Sequence, residues 1–143
     1  MTKKDKVVKT HTAPQPVGAY PHARRAGNLL FLSGIGPRPA DGDSIPGVVL
    51  GDDGDAVSYD IEAQCHAVFA NVRSVLESAG SDWDDLVDVT VYLTDIKRDF
   101  KTYNRVYAEY FSSDGPTRTT VEINRLPTPI AIELKCIAEV REK

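Results

Sequence analysis

Two charged residues stand out in a C-terminal region that otherwise alternates between apolar and polar positions: Arg118 and Glu133. A guanidinium shielded from water can clamp a carboxylate through two parallel N–H bonds, and a nearby carboxylate can orient a water or shuttle a proton. Read alone, the same residues have an ordinary alternative of equal weight, as exposed strand charges or one salt bridge between neighbouring strands. Other chemistries lack their residues. His11, His22 and His66 are scattered, without HxxH, HExxH or Cys/His ligand spacing, so no metal site is expected. His66 reads as a half-buried structural residue, and His22 is divided between surface and site lining. Gly34-Ile35-Gly36-Pro37 is too short for a phosphate loop and places a proline where an N–H donor is needed. Cys65 and Cys136 fall inside apolar patterns and outside any CxxC pair, the setting of buried reduced thiols.

The surrounding pattern says what must position these residues. A short apolar strand covers 28–33, closed by Ser33-Gly34. Before it, Pro14, Pro16, Gly18 and Pro21 argue for an extended, looped segment without regular structure. From Gly34 to about Ser58 the chain is rich in Gly, Pro and Asp, which predicts a long loop with room for a short strand at 48–50. Ile61, Cys65, Val68, Phe69, Val72 and Leu76 recur at helical spacing, which predicts a helix over 58–79 with Ser58 as N-cap and Gly80 as stop. Residues 86–94 alternate as a half-buried strand, and Phe100, Tyr103, Tyr107, Tyr110 and Phe111 mark a second amphipathic helix. Two strands follow. In the first, Thr119, Val121 and Ile123 share a face, with Arg118, Thr120 and Glu122 opposite; in the second, Ile132, Leu134 and Cys136 lie opposite Glu133 and Lys135. This order predicts one α+β domain over residues 1–143, a sheet with two helices on one face. The other face, carrying Thr, Tyr, Arg118 and Glu133, needs a partner, and self-association is the simplest.

Bulk properties narrow the function. The 143 residues are 41% hydrophobic and 27% charged, with a formal net charge of −4. That balance opposes a nucleic-acid surface, which needs clustered excess Lys and Arg. The one basic run, Lys3-Lys4-Asp5-Lys6 with Lys9, reads as a solvated end. No apolar run approaches the roughly 20 residues that cross a bilayer, and no apolar segment follows the N-terminal charges, so a cytoplasmic location without membrane contact is expected.

Arg118-Thr-Thr-Val-Glu-Ile-Asn-Arg-Leu-Pro-Thr-Pro-Ile-Ala-Ile-Glu133, together with Pro16-Val-Gly-Ala-Tyr20, Leu32-Ser-Gly34 and the segment 87–104, resembles the signature of the RidA/YjgF family over nearly the whole chain. The resemblance implies a chorismate-mutase-like fold assembled as a homotrimer, with the sheets lining a central barrel and active sites in clefts between subunits. It implies hydrolysis of reactive enamines and imines to ketones and ammonia without a cofactor. It assigns Arg118 to a small-molecule carboxylate and Glu133 to the hydrolytic water, with Tyr20, Ser33, Gly34 and Asn104 lining the cleft. Thr120 stands where the family commonly has a cysteine, which implies no oxidative regulation there and a substrate other than the housekeeping one. Segments 20–28, 33–38 and 59–71, with the long loop 39–57, are most similar to the branch that converts 2-aminomuconate to 4-oxalocrotonate in bacterial breakdown of aromatic compounds. That substrate is a dicarboxylate: Arg118 would take the carboxylate beside the amino-bearing carbon, and Arg24, Arg25 or Arg38 the distal one. Two other functions use the same residues, a general hydrolase of 2-aminoacrylate-type imines and a ligand binder without catalysis. A ribonuclease role attributed to relatives is opposed by the acidic balance.

Overall fold

The computed structural model describes residues 2–42 and 44–141. Its strands are β1 (Val7–Val8), β2 (Ala23–Ala26), β3 (Leu29–Leu32), β4 (Val48–Leu50), β5 (Ala56–Tyr59), β6 (Leu86–Leu93), β7 (Thr117–Glu122) and β8 (Ile132–Glu139); its α-helices are α1 (Ile61–Ser78) and α2 (Ile96–Tyr110). Six strands form one sheet in the order β1-β2-β3-β8-β6-β7, and β4 and β5 form a separate hairpin. The β6–β7 pair is parallel and all other pairs are antiparallel.

Both helices cover one face of the large sheet, as expected. Leu30, Leu32, Val89, Val91, Leu93, Ile132, Leu134, Cys136 and Ala138 alternate inward and are essentially inaccessible. Against them α1 packs Cys65, Val68, Phe69, Val72 and Leu76, and α2 packs Tyr103, Val106 and Tyr107. Phe69, Trp83, Tyr107, Tyr110 and Phe111 form an aromatic cluster between the helices. Fully buried Gln64 accepts the Ala131 N–H at 2.8 Å and so ties α1 to the entry of β8. Both cysteines are free and buried. No helix among the described residues is long and apolar enough to cross a membrane.

Several boundaries differ from the expectations. The N-terminal segment is not without regular structure: the basic run makes a 3-10 turn at Lys4–Lys6 and leads into β1, and Ala23–Ala26 pairs with β3. The two-residue Gly27-Asn28 loop joins β2 to β3, with Gly27 at φ 63°, the conformation a primed hairpin turn requires. The expected long loop contains the β4–β5 hairpin. Because 56–59 pairs in that hairpin, α1 starts at Ile61 and its cap is Asp60, not Ser58; the Asp60 carboxylate accepts the Glu62 and Ala63 N–H groups. The second helix starts one turn earlier than its aromatic spacing suggests, at an Asp95 cap. His66 is not half-buried: it is 44% exposed, with Nδ1 2.5 Å from the Tyr110 hydroxyl.

Candidate functional site

Arg118 lies on β7 opposite Val89 of β6, and Thr120 lies opposite Val91. Paired residues point to the same side of a sheet, and both valines are fully buried under the helices. Arg118 and Thr120 therefore face the helix side, and Thr119 and Val121 face the open side. This corrects the expectation that Arg118 shares the open face with Glu133. β7 is the last strand of the sheet, so its inward side is only half covered and tolerates polar residues, while its outward side leaves Val121 37% exposed.

The side chain of Arg118 is seated on α2. Its Nη1 donates to Asn104 Oδ1 at 2.9 Å. The guanidinium carbon lies 4.6 Å from the ring centre of Tyr107 and 5.3 Å from that of Tyr103, a cation–π seat. The Tyr103 hydroxyl is 3.2 Å from Thr120 Oγ1. Burial pushes both phenols up, Tyr107 to about 12, so neither competes as an anion for the guanidinium. No carboxylate among the described residues forms an ion pair with Arg118. The result is a half-buried, oriented cation whose remaining donors are available to an external anion.

A second group gathers where β3 ends. The ladder pairs Phe31 with Ile137 and then Ile35 with Leu134, so Leu32, Ser33 and Gly34 oppose only Cys136 and Lys135. One extra residue on one strand is a β-bulge, a device that re-aims side chains at functional sites. Glu133 faces this bulge from the open side, paired with Tyr92 of β6. A Cβ on Gly34 would lie 2.9 Å from the Glu133 carboxyl carbon and from Oε2, so only glycine leaves the carboxylate its place. Glu133 is half-buried, and burial raises its pKa; among the described residues none forms an ion pair with its carboxylate. Ser33 donates its hydroxyl to the Pro21 carbonyl at 2.8 Å, which leaves its oxygen free to accept. Tyr20 is 42% exposed, lines a pocket with His22, Ser33, Gly34 and Arg38, and accepts the Val17 N–H at 3.3 Å.

The expected site residues thus form two groups in one chain. Arg118, Asn104 and Thr120 lie together on the helix side of the sheet edge; Tyr20, Ser33, Gly34 and Glu133 lie together around the bulge. Arg118 is level with Val89 and Glu133 with Tyr92, so three residue steps and two strand spacings put their backbones about 14 Å apart, with side chains on opposite faces. A single chain cannot close both groups on one small molecule. Of the candidate second cations, Arg24 is exposed on the open side opposite Phe31; Arg25 faces the helix side with Nε on the Gly27 carbonyl; Arg38 donates to the Gln15 carbonyl at 2.9 Å beside the Tyr20 pocket. His22 is buried, with Nδ1 accepting from the Thr10 N–H and Nε2 facing the Pro14 carbonyl, so backbone groups occupy both nitrogens. Tyr103 and Tyr107 read in the sequence only as apolar positions of the second helix; their spacing of four residues, with Asn104 between them, is the signal for a seat.

Residues 10–140 match the family described as endoribonuclease L-PSP. A RutC family protein of Pyrococcus horikoshii is 41% identical over 133 residues, which cover 92% of this chain and 95% of that protein. The chloroplastic Reactive Intermediate Deaminase A of Arabidopsis thaliana is 36% identical over 94% of this chain and 66% of its own length. Among solved structures, Escherichia coli TdcF with bound serine superposes with a TM-score of 0.80 at 31% identity, covering 96% of this chain and 99% of that one.

Proposed function

We propose, from the premise that the chain belongs to the endoribonuclease L-PSP family, the RidA/YjgF proteins, that it is a hydrolytic deaminase of enamine and imine carboxylates, and that its substrate is 2-aminomuconate. The observation that carries this reading is the chemical division between the two groups. One offers a seated guanidinium and the other a carboxylate whose pKa burial raises, and neither has an ion-pair partner among the described residues. The name of the Arabidopsis relative supports the reaction class, and the serine bound to TdcF shows that a relative takes a small amino carboxylate. The similarity of segments 20–28, 33–38 and 59–71 supports the choice of substrate within that class.

The two groups complement each other when Arg118 of one subunit meets Glu133 of the next, and we place the site in such a cleft of a homotrimer. In the reaction, protonation of the dienamine at the carbon next to the distal carboxylate gives the conjugated iminium. Arg118 holds the carboxylate beside the iminium carbon. A water on Glu133 adds to that carbon as the carboxylate takes its proton. The proton returns to the nitrogen, the carbinolamine hydroxyl gives its own proton back to Glu133 as ammonia leaves, and the 2-oxo acid remains; Glu133 then returns that proton to the solvent, which had supplied the one added at carbon. Burial raises the basicity of Glu133, which suits it to accept a proton from the attacking water. The protein supplies position and charge, because the substrate is already activated.

A nuclease reading has names behind it, the family's description and that of a solved Thermotoga maritima relative. The net charge of −4 and one arginine at the candidate site provide no basic track for a polyanion. The test is ammonia released in step with loss of 2-aminomuconate absorbance. Arg118→Ala is expected to lower kcat/KM on the order of 100-fold or more, the scale of losing one partner of a desolvated charge pair, while leaving the assembly size unchanged. Near-normal turnover by that variant would overturn the proposal.

A further inference from the structure

Arg24 lies two strands from Glu133, Arg25 faces the helix side of the sheet, and Arg38 lines the Tyr20 pocket, whose lining does not include Glu133. A different cation does stand beside Glu133. Lys135 is two residues from Glu133 on β8, on the same open face and paired with Thr90. Both side chains reach onto the bulge: Glu133 packs against Gly34, and Lys135 Nζ donates to the Leu32 carbonyl that the bulge releases from the ladder. Lys135 is half-buried and forms no ion pair among the described residues. On the same face Asp88 lies diagonal to it, and its carboxylate is taken by the Thr117 hydroxyl at 2.6 Å. An ammonium has three donors, and the Leu32 carbonyl uses one.

We propose that Lys135 is the cation that receives the distal carboxylate of a dicarboxylate imine and so sets the substrate class of the site. The inference rests on the dicarboxylate reading above. Spacing supports it. Residues i and i+2 on a strand stand about 6.7 Å apart on the same face. In the extended substrate the iminium carbon and the distal carboxyl carbon are four bonds apart, about 5 Å. With the iminium carbon at the water on Glu133, the far carboxylate falls within reach of the two free donors on Lys135. The same lysine leaves a monocarboxylate imine without a second anchor and gives it no advantage.

The test compares two substrates and two inhibitors. Lys135→Gln is expected to raise KM for 2-aminomuconate about tenfold, the scale of one charge-assisted hydrogen bond, with a much smaller effect on 2-iminopropanoate generated in situ. Lys135→Arg keeps the preference. In the unmodified protein, muconate should inhibit 2-iminopropanoate hydrolysis about tenfold better than sorbate, the six-carbon diene with one carboxylate. In Lys135→Gln the two should inhibit alike. Equal inhibition by muconate and sorbate in the unmodified protein would overturn the proposal without reliance on any variant, as would a Lys135→Gln protein that keeps its preference for muconate. A wild-type protein that hydrolyses 2-iminopropanoate but not 2-aminomuconate would overturn the dicarboxylate reading itself, and this inference with it.

Discussion

Burial without a partner raises the pKa of the Glu133 carboxyl above its value in the unfolded chain. Between the two values the folded state binds more protons than the unfolded one, so stability falls as pH rises through that window. Glu133→Gln removes the penalty. Its thermal midpoint should exceed that of the unmodified protein at about pH 7 and match it at about pH 3.5, where both carboxyls are neutral. Ammonia release by the same variant should drop on the order of 10²- to 10³-fold, the usual contribution of a positioned general base. A loss of both stability and activity at pH 7 would mean that Glu133 is a structural residue. At this scale the alternation singled out Arg118 and Glu133, and the family resemblance added Ser33 and Gly34; the alternation put Arg118 on the wrong side of the sheet. Alternation tells which residues share a face; on β7 the two sets, Thr119 with Val121 and Arg118 with Thr120, differ too little in polarity to say which is inside.

The bulge that ends β3 is the element on which the candidate site turns. It releases the Leu32 carbonyl, aims Ser33 toward the β2 side and brings the Gly34 backbone against Glu133. In Gly34→Ala the new methyl meets the end of the Glu133 side chain, which can swing away more cheaply than backbone can move. We therefore expect kcat/KM to fall about tenfold or more while the thermal midpoint changes little, a split that kinetics and calorimetry on one preparation would show. An equal collapse of stability would mean that the close contact supports the fold and not the carboxylate position. Long elements with strong periodicity were legible: α1, α2, β6 and β8 lie where their apolar spacing puts them, apart from a turn at each helix start. Of the elements held by pairing alone, β4 lies where a short strand was expected at 48–50, while β1, β2 and β5 were not foreseen. β2 carries Arg24 and Arg25 between Pro21 and Gly27 and is a strand because β3 pairs with it, which no local preference reveals. The bulge itself depends on the register of two strands far apart in sequence.

At the scale of the whole molecule, the helices cover one side of the six-stranded sheet, and the other side presents Phe31, Thr90, Tyr92, Thr119, Val121 and Lys135. Paired with an open β7 edge, that surface suits association with further copies of the chain, and in the proposed mechanism that association would bring the Arg118 and Glu133 groups together. Sequence reasoning foresaw an unpartnered face. The division of the site across two faces needed the register of β7 against β6. The central claim is that Arg118 and Glu133 act together only across a subunit boundary. The most direct measurement is complementation: Arg118→Ala and Glu133→Gln proteins, each inactive, are unfolded together in equal amounts and refolded. If each site takes its arginine from one subunit and its glutamate from the next, random assembly rebuilds about a quarter of the wild-type sites, and about a quarter of the ammonia release returns. A refolded mixture as inactive as its two parents would contradict the account.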